Sequence, residues 1–233
     1  MIAIDGRTGH LRWYDQVTSH DVRDHDFQLP PILATVPIGT KQRNVIFGAG
    51  KAGIVIAWDT DTHKRLWRAL VGRHLNDAGP LPPRTVMVCP GLLGGVETPM
   101  AYAAGRLFVP VVDYCSHGSA SGYQAIDTLA PTAGTGELLA FDATNGHLLW
   151  KRALPQPDFG CATAADGVVF TSTLDGRIYG VNARSGKTLW TATARAGING
   201  CPALSGDMLL VPAGSTTSSM HQPVFALIAY AIR

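Results

Sequence analysis

The ten residues Phe141–Trp150, "FDATNGHLLW", contain the pattern that decides the fold. Its second residue is Asp or Asn, a small polar residue follows three positions after that residue, and Trp follows eight positions after it. The other copies are "IDGRTGHLRW" at 4–13, "WDTDTHKRLW" at 58–67 and "VNARSGKTLW" at 181–190. Repetition of this kind indicates an architecture built by repeating one structural unit.

Each copy predicts a strand, a tight turn and a second strand. The Asp or Asn side chain can accept hydrogen bonds from the backbone of the turn, and a following glycine accepts the positive φ that the turn requires. Gly9, Gly146 and Gly186 supply this glycine, whereas His63 replaces it in the second copy. The histidine implies either strain or a different turn, and the motif tryptophans are expected to lie in the core.

Apolar runs of strand length precede the turns, so each cycle holds about four short antiparallel strands, as in a β-propeller blade. The predicted fold class is therefore all-β, a β-propeller of four-stranded antiparallel blades. About four blades are present, three of them whole and two partial. The predicted blades are residues 1–14 (partial), 31–68, 96–152, 160–192 and 200–233 (partial), within one partial domain spanning 1–233.

The two partial blades leave two arrangements open. The N-terminal outer strand could close the last blade in a small ring. Alternatively, the chain is the C-terminal portion of a larger ring of about seven to eight blades. We prefer the larger ring because an open propeller would leave unpaired strand edges, which natural proteins avoid.

Composition excludes several classes of protein. A net charge of +2 and 46% hydrophobic residues argue against disorder and against nucleic acid as a partner. The apolar run 224–232 is shorter than the roughly 20 residues of a membrane helix, and the first residues lack the pattern of a signal peptide. We expect no membrane span.

The four cysteines lack the CxxC spacing of a zinc site. They are Cys89, Cys115, Cys161 and Cys201. Disulfide bonding and burial as small apolar side chains both stay open.

Long stretches rich in Gly, Pro and Ser, at 73–95 and 115–136, predict loops on a blade face that can line a site. The stretch "SHDVRDHD", residues 19–26, is an insertion of the same kind. His20 and His25 beside its aspartates could bind a transition metal, or the stretch could be a solvated loop. "GAGKAG" at 48–53 lacks the spacing of a phosphate-binding loop and precedes a strand, so we do not expect a nucleotide site.

The repeat resembles the AxDxxTGxxxW motif of pyrroloquinoline quinone (PQQ) dehydrogenases, the quinoproteins, and of their non-catalytic propeller relatives. The segment after Trp13 resembles the family's HD-x-W-D-x-D segment, and a lysine follows just before the next third strand, as in the family. "GGVETP" at 94–99 resembles a glycine pair ahead of a cofactor-facing loop. The matching residues after Trp13 are His20, Asp21, Asp24, Asp26 and Lys51.

The resemblance implies a role for each matched residue. Asp24 would be the catalytic base, and Lys51, Glu97 and Thr98 would contact the cofactor. Asp24 and Asp26 would bind the metal. The implied cofactors are PQQ and Ca²⁺ or a lanthanide. Arg23 stands where the family commonly has Trp, and Glu97 and Thr98 stand where many members have Asn and Trp.

Two functions therefore stay open. The first is a portion of a PQQ-dependent dehydrogenase that oxidises an alcohol or sugar by hydride transfer to the quinone, in an extracytoplasmic space and with a separate electron acceptor. The second is a non-catalytic PQQ-like propeller that serves as a scaffold or protein-binding module without a cofactor. In either case this chain alone is expected to be inactive, and another chain could pair its open edges.

Overall fold

The computed structural model describes residues 1–123, 134–214 and 225–232. Within these ranges every regular element is a β-strand, and no helix is long and apolar enough to cross a membrane. The first ten strands are β1 (Ile2–Ile4), β2 (Leu11–Tyr14), β3 (Ile32–Ile38), β4 (Lys41–Gly50), β5 (Ile54–Asp59), β6 (Arg65–Leu70), β7 (Val86–Val88), β8 (Ala101–Ala103), β9 (Arg106–Asp113) and β10 (Ser116–Ser119). The others are β11 (Gly122–Tyr123), β12 (Thr135–Asp142), β13 (Leu148–Leu154), β14 (Thr163–Ala165), β15 (Val168–Ser172), β16 (Arg177–Asn182), β17 (Thr188–Thr193), β18 (Ala203–Ser205), β19 (Met208–Ala213) and β20 (Ala226–Ala231).

These strands form successive antiparallel sheets, the blades of a propeller. Three sheets have four strands, ordered β3-β4-β5-β6, β8-β9-β12-β13 and β14-β15-β16-β17. A two-stranded sheet, β1-β2, precedes them, and a three-stranded sheet, β18-β19-β20, follows. The structure therefore confirms the predicted fold class, an all-β partial propeller with three whole and two partial blades.

The first strands of the blades lie on the inside of the arc. Strand β3 contacts β8, β8 contacts β14, and β14 contacts β18. The fourth strands β6 and β17 carry mostly exposed side chains and lie outside. Most of the core consists of three layers of buried apolar side chains between neighbouring sheets, and a smaller fourth cluster contains Val112, Tyr114, Phe159 and Leu174.

The repeated turns form as the sequence predicts. The Asp142 carboxylate accepts a hydrogen bond from the Thr144 amide at 2.8 Å, and the Gly146 amide donates to the Asp142 carbonyl at 2.8 Å. His63 has a φ of 59°, close to the 73° of Gly146, and its amide donates to the Asp59 carbonyl at 2.9 Å. The second copy therefore keeps the same turn, with backbone strain at His63.

Three of the motif tryptophans, Trp13, Trp67 and Trp150, pack against the turn of the next blade. The Trp67 indole donates a hydrogen bond to the carbonyl of Ala143 at 3.0 Å, and a Cβ on Gly146 would lie 2.7 Å from the indole. Trp150 makes the equivalent close approach to Gly186. Trp67 and Trp150 are partly buried and pack against the apolar clusters of the core, whereas Trp190 is 36% exposed. The expectation that the motif tryptophans lie in the core therefore holds in part.

The two predicted long loops are more ordered than expected. Strands β7, β10 and β11 from these stretches pair into a small three-stranded sheet. A disulfide between Cys89 and Cys115 joins them, and a second disulfide joins Cys161 to Cys201. Of the two states left open for the cysteines, the structure shows the bonded one. Part of the second stretch, residues 124–133, lies outside the described residues.

Antiparallel strand order decides which connections share a face. Within a blade, the turn between the second and third strands lies at the same end as the connection to the next blade. The β2–β3 connection, the β4–β5 turn and the β6–β8 connection therefore meet on one face. These three segments contain every predicted site residue.

Candidate functional site

Three backbone segments approach each other closely at the site. The Lys51 amide, in the β4–β5 turn, donates to the carbonyl of Asp26 at 2.9 Å, and the Val96 amide donates to the carbonyl of Gly50 at 3.1 Å. A Cβ on Gly50 would lie 2.2 Å from the Asp26 carbonyl oxygen, and one on Gly95 would lie 2.1 Å from the Lys51 carbonyl oxygen. Only glycine allows this approach at either position.

The side chain of Lys51 links two of the predicted carboxylates. Its Nζ lies 2.7 Å from Oδ2 of Asp24 and 3.5 Å from Oδ2 of Asp26. The lysine side chain is 14% exposed, while the two aspartate side chains are 50% and 56% exposed. The Lys51 side chain is thus mostly buried, while both carboxylates are about half exposed to solvent.

The Lys51 ammonium stays protonated at neutral pH. Burial lowers the pKa of Lys51, but the hydrogen bond to Asp24 and the negative charges of Glu97, Asp24 and Asp26 outweigh burial and raise its pKa above the ordinary value.

Glu97 lies beside this cluster, because its charge acts on Lys51, and Thr98 follows it in the chain. Oε2 of Glu97 accepts a hydrogen bond from Gln28 at 3.3 Å. Oε1 of Glu97 and Oγ1 of Thr98 are buried and have no hydrogen-bond partner within the described ranges. Native proteins seldom leave buried polar atoms unpaired, so these two atoms indicate a place for a further polar group.

The pKa of Glu97 is raised to about 7. Burial is the main cause, the Lys51 ammonium opposes it, and the charges of Asp24 and Asp26 add to it. At neutral pH Glu97 is therefore divided between a carboxylate that accepts hydrogen bonds and a carboxylic acid that can also donate one.

The structure thus brings Asp24, Asp26, Lys51 and Glu97 together. Thr98 is placed near them only as the chain neighbour of Glu97. Their roles stay predictions. Gln28 was not predicted, and a lone glutamine gives no signal in the sequence. The glycines that permit the convergence were visible in "GAGKAG" and "GGVETP", although their contacts were not.

The histidines of "SHDVRDHD" do not converge with other possible metal ligands in the part of the chain that the structure describes. Nε2 of His25 is buried and lies 3.1 Å from the carbonyl of Pro90, within hydrogen-bond distance. His25 thus links two loops, which is a structural role.

The site residues fit a quinone better than a metal. Quinone oxygens accept hydrogen bonds, and the Lys51 ammonium, the Thr98 hydroxyl and a protonated Glu97 can donate them. Ca²⁺ takes about six to eight oxygen ligands. Within residues 1–123, 134–214 and 225–232, no group of three or more His, Cys, Asp and Glu side chains converges on one point. Asp24 and Asp26 could therefore contribute to a metal site only with ligands from elsewhere.

A cavity of about 750 Å³ lies beside this cluster, lined by His20, Arg23 and Leu81 among other residues. It adjoins the loop that carries Asp24, but neither Asp24 nor Lys51 lines it.

Comparison with known proteins agrees with the fold and the repeat. Residues 1–70 match the family described as the β-propeller domain of glucose/ethanol/alcohol dehydrogenase, and residues 134–222 match the family described as outer membrane protein assembly factor BamB. The chain is 25% identical over 240 residues to a quinohemoprotein alcohol dehydrogenase of Comamonas testosteroni, covering 87% of this chain and 34% of the relative. The chain is thus a β-propeller similar to those of the quinoprotein dehydrogenases.

This quinoprotein-like propeller has further relatives of the same kind. It is 24% identical to the lanthanide-dependent methanol dehydrogenase of Methylacidiphilum fumariolicum, covering 84% of this chain and 38% of that protein. A solved structure of a europium-containing methanol dehydrogenase superposes with a TM-score of 0.76 at 20% identity, covering 91% of this chain and 44% of the other, which supports the fold. The chain spans about a third of the length of the curated relatives it matches.

Proposed function

We propose that this propeller forms one wall of the active site of a PQQ-dependent dehydrogenase that oxidises an alcohol or a sugar. The observation that carries the proposal is the Lys51 ammonium, held 2.7 Å from the Asp24 carboxylate and close to a buried Glu97 oxygen that has no hydrogen-bond partner among the described residues. Oxidation of an alcohol needs a base for the hydroxyl proton and a cation near the oxygen that gains negative charge. This cluster contains both groups.

Asp24 would act as the base. Its carboxylate is half exposed, so a substrate hydroxyl can reach it, and an ionised carboxylate accepts the hydroxyl proton. The hydrogen bond to Lys51 fixes one carboxylate oxygen, and the other is free to face the substrate.

Lys51 would supply the positive charge. A bound quinone would supply the acceptor of the hydride that leaves the substrate carbon. The Lys51 ammonium would donate a hydrogen bond to a quinone oxygen and stabilise negative charge there. Because its pKa is raised, the lysine would keep its proton throughout.

Glu97 and Thr98 would hold the cofactor in place. Their buried oxygens would bond its polar edge and so obtain the partners that they lack. Asp24 and Asp26 would contribute oxygen ligands to Ca²⁺ or a lanthanide, completed by residues from elsewhere. An extracytoplasmic location and a separate electron acceptor belong to the same proposal. One relative is named 1-butanol dehydrogenase (cytochrome c), from Thauera butanivorans, and that name favours a redox protein as the acceptor.

The second candidate function is a non-catalytic propeller that binds another protein. The incomplete set of metal ligands among the described residues favours it. In that case the Lys51 cluster only stabilises the face where the three segments meet, and one domain spanning the chain serves as a scaffold.

Two measurements on the full-length protein separate the candidates. In the first, the protein is titrated with PQQ and Ca²⁺, followed by the quinone absorbance. A dehydrogenase predicts saturable binding that Lys51→Met weakens, and no saturable binding would favour the scaffold.

The second measurement is dye-linked alcohol oxidation. Asp24→Asn should abolish it and leave PQQ binding in place, and Asp61→Asn, at an exposed turn aspartate, is the matched control. Full activity in Asp24→Asn would contradict the proposed role of the base.

A further inference from the structure

The backbone of Asp24 is held in a conformation that aspartate does not prefer. Its φ is 60°, in the left-handed region, where a residue with a Cβ is strained. Such strain persists only where the surrounding contacts enforce it, and it is concentrated at functional sites. The contacts of the neighbouring residues show what enforces it here.

Asp21 binds the backbone on both sides of Asp24. Its Oδ1 accepts a hydrogen bond from the Arg23 amide at 2.9 Å, and its Oδ2 accepts one from the His25 amide at 2.7 Å. Both oxygens of one carboxylate therefore hold the amides of the two residues that flank Asp24. This clamp closes the turn around Asp24.

The side chains next to Asp24 are buried, whereas that of Asp24 points out. Arg23 is 6% exposed and His25 is 4% exposed, compared with 50% for the Asp24 side chain. The His25 ring reaches the Pro90 carbonyl. With both neighbours directed inward, the Asp24 carboxylate is directed towards Lys51.

Arg23 ties this loop to the β6–β8 connection. Its Nε donates to the carbonyl of Asn76 at 3.2 Å, and its Nη2 donates to the carbonyl of Gly79. Within the described ranges, Arg23 forms no salt bridge. Burying a guanidinium without a carboxylate is unfavourable for stability, so its contribution is to fix geometry.

We propose that Arg23 is a positioning residue that sets the Asp24–Lys51 pair, because its two-carbonyl contact locks the strained turn against residues 76–79. The inference rests on the proposed function, since the pair matters for chemistry only if Asp24 is the base. The planar fork of arginine suits this role, because it presents two donors at a fixed angle to two carbonyls. An indole has one donor, and a lysine ammonium donates from a single nitrogen, so neither presents two donor nitrogens at a fixed angle to the two carbonyls.

The test follows the Lys51 ammonium by nuclear magnetic resonance in the whole chain. The chain has five lysines, so their ammonium ¹H–¹⁵N signals can be separated, and Lys51→Arg assigns the relevant one. A lysine that is 14% exposed and bonded to a carboxylate should give a signal protected from exchange with water. Arg23→Met should abolish the Lys51 signal and leave the other four unchanged.

Arg84→Met is the matched control, because Arg84 is exposed on the same β6–β8 connection. It should leave the Lys51 signal intact. Near-ultraviolet circular dichroism shows whether each variant is folded. A folded Arg23→Met protein that retains the Lys51 signal would overturn the proposal, as would the lack of a protected signal in the unmodified chain.

If Arg23→Met does not fold, Arg23→Gln decides. It keeps an amide donor but not the fork and adds no lysine, so the Lys51 signal should again be lost, and its retention in a folded protein would overturn the proposal. Failure of the two proposals can be told apart. Loss of the signal in Arg23 variants of a full-length protein that binds no PQQ supports the positioning role and rejects the dehydrogenase. PQQ binding together with an unchanged Lys51 signal in the Arg23 variants supports the dehydrogenase and rejects the positioning role.

Discussion

The ammonium nitrogen of Lys51 lies 2.7 Å from the Asp24 carboxylate, although 27 residues separate them in the chain. Their meeting depends on two glycines, because a Cβ at Gly50 or Gly95 would collide with the backbone of the neighbouring segment. The pair is therefore a product of backbone packing. A surface ion pair of this exposure adds only about 0–1 kcal/mol to stability, so its geometry matters more for chemistry than for folding.

Lys51→Met should lower dye-linked alcohol oxidation by the full-length protein by a factor of about 10²–10³, because the charge that stabilises the reduced quinone oxygen is lost. Steady-state rates with PQQ and Ca²⁺ present measure the effect. Lys64→Met, at an exposed turn lysine, should retain the activity of the unmodified protein. Equal activity in both variants would remove Lys51 from the mechanism.

Gly95→Ala should destabilise the protein by at least about 2 kcal/mol more than Gly105→Ala. The two glycines have similar positive φ values, 86° and 75°, so the conformational penalty is shared. A Cβ on Gly95 would lie 2.1 Å from the Lys51 carbonyl oxygen, whereas one on Gly105 would meet no atom within 4 Å. Free energies of unfolding from urea titration measure the difference. Equal free energies of unfolding for the two variants would show that the three backbone segments of the site can move apart at little cost in stability.

Asp158 should make stability fall as pH rises. Burial raises the pKa of Asp158 to about 8, against partial opposition from hydrogen bonds donated by Thr171 and Gly160. In the unfolded chain the carboxyl loses its proton near its ordinary pKa of about 4. Between these values the folded state binds the extra proton. The free energy of unfolding should therefore decrease towards pH 8, by up to about 1.4 kcal/mol per pH unit, and then level off.

Asp158→Asn should flatten this dependence, because the amide does not ionise. Urea titrations at pH 5, 6, 7 and 8, chosen as roughly even steps across the titration window, measure the slope. Asp166→Asn, at an exposed turn residue in the same blade, should keep the slope of the unmodified protein. A slope unchanged in Asp158→Asn would mean that Asp158 is ionised in the folded state.

Removing the Cys161–Cys201 disulfide by the double substitution Cys161→Ala/Cys201→Ala should lower the free energy of unfolding by about 2–4 kcal/mol, because the bond closes a loop of 40 residues in the unfolded chain. Thermal unfolding with and without reductant measures it. Reductant should lower the melting temperature of the variant less than that of the unmodified protein, since only the Cys89–Cys115 bond is left. Equal melting temperatures of the two proteins under oxidising conditions would contradict the prediction.

The repeat and its turns were predictable because their interactions are local. The Asp142 carboxylate bonds an amide two residues away, and a spacing of eight residues places Trp150 on the following strand. His63 shows the limit of this reasoning. The sequence left strain and a different turn open, and the contact that accompanies the strained form is its ring stacked on Trp13 of the preceding blade at 5.1 Å.

The candidate site was predictable only in part. Asp24 and Lys51 were identified by resemblance, but the burial of the Glu97 oxygen and of the Arg23 fork depends on packing from other segments. No pattern in the sequence pointed to Asp158. Its burial arises where Gly136 leaves no room for a side chain, since a Cβ there would lie 2.7 Å from the Asp158 amide nitrogen.

By itself the sequence determined the blade, because a turn and its flanking strands are fixed by hydrogen bonds and glycine conformations within about ten residues. Only the tertiary structure decided which loops meet, and with them the Lys51–Asp24 pair, the inward direction of Arg23 and the pairing of the cysteines. These features depend on close approaches of backbone between segments 25 to 70 residues apart, roughly the spacing of one or two blades. Such distances follow from how successive sheets pack, and no local pattern encodes them.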